Sequence, residues 1–165
     1  MKKLNTRMIT VIGVLIAMEV ILSRFLSINA PSVKIGFAFV PCALCAVLFG
    51  LGPTVILEIL ADLLGATLFP SGSFFPGFTL TAALRGLSYG LLLGKKQTPA
   101  RILMVVLFNQ LVLGLCVNTL WISILYGSSF TALMVTRVVQ CLVLIPVEFV
   151  VITAIVKFGK RIKKV

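Results

Sequence analysis

Apolar residues form six long runs along the chain, and short groups of proline, glycine, serine and charged residues separate them. A transmembrane α-helix needs roughly 20 predominantly apolar residues. The second and third runs are short for full crossings, whereas the last two are longer than a crossing requires. We therefore predict six transmembrane helices, over residues 6–27, 34–50, 52–69, 77–94, 99–125 and 129–158.

The composition supports this interpretation. The chain has 165 residues, of which 60% are hydrophobic, whereas the apolar share of a soluble domain is about 45 to 50%. We predict an all-α integral membrane protein in which residues 1–165 form one six-helix transmembrane domain. The crossings use almost the whole length, so any energy source would have to be a separate protein.

The net charge of +11 reflects membrane topology. With six crossings, the N-terminus, the loop after the fourth helix and the C-terminus lie on one side, and positively charged loops favour the cytoplasm. Both termini are therefore predicted to be cytoplasmic, and no nucleic-acid partner is expected. The clustered cations are Lys2, Lys3, Arg7, Lys95, Lys96, Arg101, Lys157, Lys160, Arg161, Lys163 and Lys164.

Six ionisable side chains lie inside the apolar runs, where each costs roughly 2.5 to 3.5 kcal/mol unless it is paired, hydrated or facing a cavity. They are Glu19, Glu58, Asp62, Arg85, Arg137 and Glu148. At 1.5 Å per helical residue, Glu19, Asp62, Arg85 and Arg137 lie about 10 to 12 Å below the outer ends of their helices. Asn118, Trp121 and Gln140 fall near the same depth.

Polar and aromatic groups from at least four helices thus meet in one layer, which predicts a small-molecule pocket open to the outside. The alternative is interhelical pairing, with Asp62 and Arg85, or Glu19 and Arg137, neutralising each other. By the same estimate of depth, Glu58 and Glu148 lie in the inner half of the membrane. We expect them to serve structural pairing or contact with a partner protein.

Two further features are candidate recognition elements. The turn-rich segment 69–78 carries four aromatic residues, and it can either gate the pocket or anchor the chain at the membrane interface. Phe74, Phe75 and Phe78 are suited to stacking on a flat ring. Gly13 and Ala17 form a small-xxx-small pair that serves either packing within the bundle or contact with another protein.

Catalysis and metal binding are not expected. The chain has no histidine, which is the common metal ligand and general base. Cys42 and Cys45 have CxxC spacing but lie in an apolar run, where buried small hydrophobic residues are the better interpretation. We predict no cofactor, no metal site and no enzymatic activity.

Three segments together resemble one family of membrane proteins: SRFLSI at 23–28, KIGFAFVP at 34–41 and FFPGFTL at 74–80. The chain is similar to the folate-specific substrate-binding (S) component of the energy-coupling factor (ECF) vitamin transporters. The resemblance implies a bacterial plasma-membrane protein that captures folate from outside. Its partners would be a transmembrane coupling subunit and two cytoplasmic ATPases of the ABC type.

The resemblance also implies roles for individual residues. The family docks to the coupling subunit through an AxxxA pattern in the first helix, where Gly13 replaces the first alanine and Ala17 matches the second. The glutamate tail of folate suits Arg24, Lys34, Arg85 or Arg137; the pterin edge suits Asp62, Asn118 or Gln140; and the flat rings suit Phe74, Phe78 or Trp121. Alternatives are an S component for another flat-ring vitamin, a stand-alone carrier or channel, and a membrane scaffold protein.

Overall fold

The computed structural model describes residues 6–29, 34–70 and 72–162, and most of them are helical. A π-helical segment, Phe108–Val117, continues α5 into α6 without a break, so the helices of the described residues form six spans and the predicted number is confirmed. The helices are α1 Thr6–Arg24, α2 Phe39–Phe49, α3 Leu51–Leu68, α4 Pro76–Leu93, α5 Pro99–Leu107, α6 Asn118–Tyr126 and α7 Phe130–Ile162.

The second span begins later than predicted. Instead of a helix from residue 34, the chain forms a two-residue strand β2, Lys34–Ile35, which pairs antiparallel with β1, Ile28–Asn29. A helix from residue 34 would have placed Pro41 in its interior, where proline removes a hydrogen bond and clashes with the preceding turn. Because α2 begins at Phe39, Pro41 falls in the first turn, where it is tolerated.

Large apolar side chains face outward along the spans, as expected for contact with lipid. On α7, Val135, Leu142 and Val150 are each at least 66% exposed. Four helical stretches of the described chain are long and apolar enough to cross a bilayer, namely Thr6–Arg24, Leu51–Leu68, Pro99–Tyr126 and Phe130–Gly159. The surface and the helix lengths together indicate a multi-pass membrane protein.

The apolar core lies in the inner half of the bundle. Helix α2 is its centre, and Cys42, Ala43 and Val47 have no exposed surface. They pack with residues from α4, α5 and α7, including Leu93, Ile102, Val105, Ile152 and Val156. The interpretation of Cys42 as a small buried hydrophobic residue is confirmed, and this packing closes the bundle beneath the cavity described next.

Candidate ligand-binding site

A cavity of about 1010 Å³ lies between α1, α3, α4, the π-helical segment, α6 and α7. Residues near the outer ends of the spans, including Gly72, Tyr126 and Ser128, line its mouth. From there it extends inward to Tyr89 and Glu148. The helices therefore enclose a deep, elongated space that opens away from the apolar core.

Eight of the ten residues predicted to contact a ligand line this cavity: Arg24, Asp62, Phe74, Phe78, Arg85, Asn118, Arg137 and Gln140. Glu19 lines it too, so the layer counted along the helices does converge on one space. The side chain of Lys34 lies outside the described part of the structure. Trp121 is not in the cavity wall. Ligand contact by these residues remains a prediction.

An ion pair joins α3 to α4 in the cavity wall. Arg85 Nη1 lies 3.6 Å from Glu58 Oε2, and Glu58 is only 1% exposed. The two helices can approach closely because α4 has glycine at the contact: a Cβ on Gly86 would lie 2.8 Å from the Cα of Val55. Close helix packing thus sets the arginine against the buried carboxylate.

The polar contacts differ from the two pairings considered at the sequence level. Arg85 pairs with Glu58, one helical turn before Asp62. Asp62 accepts a hydrogen bond of 2.8 Å from the Thr79 hydroxyl. Arg137 Nη1 donates to the Gly114 carbonyl at 2.8 Å. Charged side chains are therefore held by neighbouring helices while they line the cavity.

The π-helical segment forms one wall of the cavity through Asn109, Gln110 and Gly114. A π-helix bonds each amide to the carbonyl five residues back, and such segments are frequent at functional sites. Helix α7 contacts two carbonyls of this segment, because Cys141 Sγ donates to Gln110 O at 3.3 Å and Arg137 donates to Gly114 O. The sequence analysis did not predict that these ten residues form a π-helix.

Aromatic rings pack at the outer end of the cavity. The Phe75 ring lies 5.4 Å from Trp121 and 6.1 Å from Phe78, centroid to centroid. Trp121 Nε1 also donates to the Thr81 hydroxyl at 3.1 Å. A Cβ on Gly77 would lie 2.5 Å from the Phe75 ring and 2.7 Å from Trp121, so only glycine fits there. Trp121 thus packs behind Phe75, outside the cavity lining, whereas the sequence analysis expected it to contact the ligand.

The inner part of the cavity contains residues that the sequence analysis missed or assigned elsewhere. Glu58 and Glu148 both line it, although they were expected to serve structural pairing or contact with a partner protein; the ion pair of Glu58 with Arg85 agrees with structural pairing. The cavity is deeper than the single layer that was counted. Tyr89, Asn109 and Gln110 line the same inner part. The adjacent amides of Asn109 and Gln110, in the middle of an apolar run, were a signal for it.

A separate apolar groove of about 310 Å³ lies on the outside of the α1–α3 pair. We call this surface the α1–α3 groove; it is lined by Gly13, Ile16, Ala17, Val20, Ile21, Leu64, Leu68 and Phe69. Gly13 and Ala17 are exposed, and a Cβ on Gly13 would meet no atom within 4 Å among the described residues. The small-residue pair therefore faces outward from the bundle.

Comparisons with known proteins find relatives over nearly the whole chain. Residues 7–156 match the family described as "ECF transporter, substrate-specific component". The chain is 35% identical over 164 residues to the folate transporter FolT of Clostridium novyi (strain NT), covering 99% of this chain and 94% of that protein. It is 30% identical over 153 residues to the folate transporter FolT of Leuconostoc mesenteroides subsp. mesenteroides, covering 88% and 82%.

The fold is also similar to a solved structure. A crystal structure of FolT bound with folic acid matches with a TM-score of 0.85 and 33% sequence identity, covering 95% of each chain. The six-span arrangement is therefore shared with that protein over almost its full length.

Proposed function

The chain belongs to the substrate-specific components of ECF transporters, and on that premise we propose that it binds folate at the outer face of the bacterial plasma membrane. Members of this family are the substrate-binding parts of a multi-pass membrane transporter and are not enzymes. The proposal of folate is supported by the names of the two relatives and by the folic acid bound to the similar structure.

The observation that carries the proposal is the cavity with its basic side chains toward the mouth. Its volume of about 1010 Å³ suits an extended small molecule. Arg24, at the end of α1, lies across α3, because a Cβ on Gly65 would be 2.8 Å from its Nε. Arg137 is seven residues into α7. Both cations can form charge-assisted hydrogen bonds with the two carboxylates of the folate glutamate.

Flat-ring recognition is supported by the aromatic side chains of the cavity. Phe74 and Phe78 line it, and Phe78 packs against Phe75. Aromatic rings favour offset or edge-to-face contact with another ring. We propose that Phe74, which is 55% exposed, and Phe78 contact the rings of the bound folate.

Transport across the membrane would require partner proteins. We propose that the whole chain acts as one six-helix domain, which docks to a transmembrane coupling subunit, and that two cytoplasmic ABC-type ATPases supply the energy. The α1–α3 groove suits that docking, since small residues let another helix approach the backbone closely. Gly13 and Ala17 are the proposed contact positions.

Titration of the purified protein with folic acid tests the proposal. Trp121 is the single tryptophan of the chain, and it lies against Phe75 at the cavity, so its fluorescence should respond to a bound ligand. We expect saturable binding with a Kd below about 1 µM, which corresponds to more than about 8 kcal/mol. Riboflavin, another flat-ring vitamin, is the control; saturable riboflavin binding without folic acid binding would favour a different vitamin substrate.

A further inference from the structure

Three cations lie at the cytoplasmic end of α4, and we call them the α4–α5 cations: Lys95, Lys96 and Arg101. Gly94 keeps helical backbone angles, φ −66° and ψ −32°, so Lys95 directly follows the last turn of α4. Arg101 belongs to the first turn of α5, and its Nη1 donates to the Leu92 carbonyl at 3.5 Å. This bond brings the guanidinium beside the end of α4, where the two lysines begin.

The connection between α4 and α5 is short and bonded to the helices. Gln97 Nε2 donates to the Leu93 carbonyl at 3.1 Å. Together with Arg101, it reaches two carbonyls at the end of α4, where the last four carbonyls have no partner within the helix. Pro99 takes the first position of α5, where proline is favoured. The connection therefore holds the exposed Lys95 and Lys96 at a fixed place on the cytoplasmic end of the bundle.

No acidic side chain of this protein neutralises the α4–α5 cations. The chain has four acidic side chains, and all of them line the cavity inside the bundle: Glu19, Glu58, Asp62 and Glu148. Within the described residues, the ion pair that they form is with Arg85 and not with the cytoplasmic cations. The positive charge at this end of α4 therefore requires an anion from outside the chain.

Exposed apolar side chains lead up to these cations, and we call them the apolar strip: Leu87, Leu91, Leu103 and Met104. On α4, Leu87, Leu91 and Lys95 follow one another at intervals of four residues and so share one face. Leu103 and Met104 continue the apolar surface on α5, which packs against α4. Leu87 and Lys95 are about 12 Å apart along the helix axis, which is similar to the hydrocarbon depth of one leaflet, about 15 Å. The surface thus combines a charged end at the membrane boundary with apolar side chains at the depth of the acyl chains.

We infer that the α4–α5 cations bind the headgroup of an anionic phospholipid in the cytoplasmic leaflet, with its acyl chains along the apolar strip. Lysine and arginine at the membrane surface attract anionic lipids, and they form charge-assisted hydrogen bonds with phosphate oxygens. The inference goes beyond the proposed function, because the surface lies outside the cavity and does not involve its ligand.

The fold favours a lipid over a protein partner at this surface. Within the described residues, α1 packs against α2 and α3 but not against α4 or α5. The apolar strip therefore lies apart from the α1–α3 groove, where the coupling subunit is proposed to dock. A phospholipid matches both parts of the surface, since it has one anionic end and two apolar chains.

Competition between two lipids tests whether the surface recognises an anionic headgroup. The full chain in non-ionic detergent is given equal amounts of dioleoylphosphatidylglycerol and dioleoylphosphatidylcholine, which share their acyl chains, and native mass spectrometry counts the lipids that stay bound. We expect at least about a tenfold preference for phosphatidylglycerol, since each basic side chain near the surface contributes about fivefold. Equal retention of the two lipids would mean that the cations only set the membrane topology, and it would overturn the inference.

Lys95→Gln then tests the place of binding. It removes one exposed charge at the end of the apolar strip, so the preference for phosphatidylglycerol should fall about fivefold. Lys95→Arg keeps the charge and should retain the preference. Arg7→Gln is the matched control, because it removes one exposed charge from the cytoplasmic end of α1, which does not pack against α4 or α5.

In Arg7→Gln, the preference should stay at least about tenfold. Equal losses in Arg7→Gln and Lys95→Gln would show that the lipid responds only to net charge, and no loss in Lys95→Gln would place the lipid elsewhere; either result contradicts the inference. Melting curves in detergent show that each variant is folded, and if Lys95→Gln is not, the wild-type competition decides.

Two other occupants of the surface give different results. Glycerol phosphate at millimolar concentration should not displace phosphatidylglycerol; displacement would show that a free phosphate ester suffices and that the acyl chains do not contribute. Lys95→Gln should still copurify with the coupling subunit and its ATPases. Loss of this assembly with unchanged lipid retention would assign the surface to a protein and overturn the inference.

Discussion

The helices α1 and α3 present two faces with opposite chemistry. Toward the cavity they carry carboxyl groups, among them the buried Glu19 and Glu58. Toward the outside they form the apolar α1–α3 groove, with Gly13 and Ala17 on α1. Glu19 is only two residues beyond Ala17, but two residues correspond to about 200° around a helix axis. One pair of helices thus lines the cavity on one side and presents an apolar groove on the other.

The two faces also differ in how they tolerate change. The side chains on the cavity face are tied to neighbouring helices, as in the pair between Glu58 and Arg85. The groove face has open space at Gly13, where an added Cβ meets no described atom within 4 Å. Substitutions on the cavity face should therefore affect stability or binding, whereas those in the groove should affect only contact with another protein.

The largest effect is expected from enlarging the groove residues. Gly13→Leu combined with Ala17→Leu should abolish folate uptake by the assembled transporter, because leucine keeps a partner helix away from the backbone of α1. Folic acid binding by the isolated protein should be unchanged, since these side chains point away from the cavity. Radiolabelled folate uptake and fluorescence titration measure the two properties separately.

Gly13→Ala is the matched control for the groove. It adds a single methyl group in open space, and uptake should remain near the wild-type level. Loss of both binding and uptake in the double leucine variant would indicate a disrupted bundle. Full uptake by that variant would show that the coupling subunit does not dock at the α1–α3 groove.

On the cavity face, the strongest effect on stability is expected at Arg85. Arg85→Met removes the cation from the ion pair and leaves the carboxyl group of Glu58, which is 1% exposed, without it. Breaking a buried pair on one side costs about 3 to 5 kcal/mol, and we expect about 3 because Arg85 is 31% exposed. Thermal unfolding in detergent should show a clearly lower Tm.

Two companion variants decide whether the ion pair is responsible. Lys95→Met removes an exposed cation in the loop after α4 and should change the stability by less than about 0.5 kcal/mol. Glu58→Gln in addition to Arg85→Met should restore part of the lost stability, since the two residues are coupled. An unchanged Tm in Arg85→Met would mean that the pair contributes nothing to holding α3 against α4.

The fold was largely predictable because glycine and proline, which interrupt helices, separate the apolar spans. Apolar runs bounded by Gly50, Pro76 or Gly127 predicted five of the six spans to within a few residues. The start of α2 was missed because Ile35, Phe37 and Ala38 continue the apolar pattern of the helix that follows. The restriction that Pro41 places on helix geometry was the signal for a later start.

The candidate site was predicted only at its outer level. Counting the rise of regular helices placed Asp62, Arg85 and Arg137 in one layer, and all three line the cavity. The inner end was missed because the count assumed a shallow pocket and a regular fifth span. The π-helical segment changes which side chains face inward, and nothing in its composition announces it. Glu148 was accordingly assigned to packing or partner contact.

A smaller effect within the cavity face is expected at Arg137, which is 9% exposed and lines the cavity. Arg137→Ala should weaken folic acid binding by more than tenfold, about 1.4 kcal/mol. The physical reason is the loss of charge-assisted hydrogen bonds to the glutamate tail. Fluorescence titration measures the change, and an unchanged Kd would remove Arg137 from the ligand contacts.

Arg137 also donates to the Gly114 carbonyl at 2.8 Å, so its loss can act through the π-helical segment instead of through the ligand. Pteroic acid, which is folic acid without the glutamate, separates the two effects. If Arg137 binds the tail, Arg137→Ala weakens folic acid but leaves pteroic acid unaffected, and Arg137→Lys recovers part of the affinity because the charge remains. If the arginine only positions the segment, both ligands weaken together, since the segment forms one wall of the cavity for either ligand.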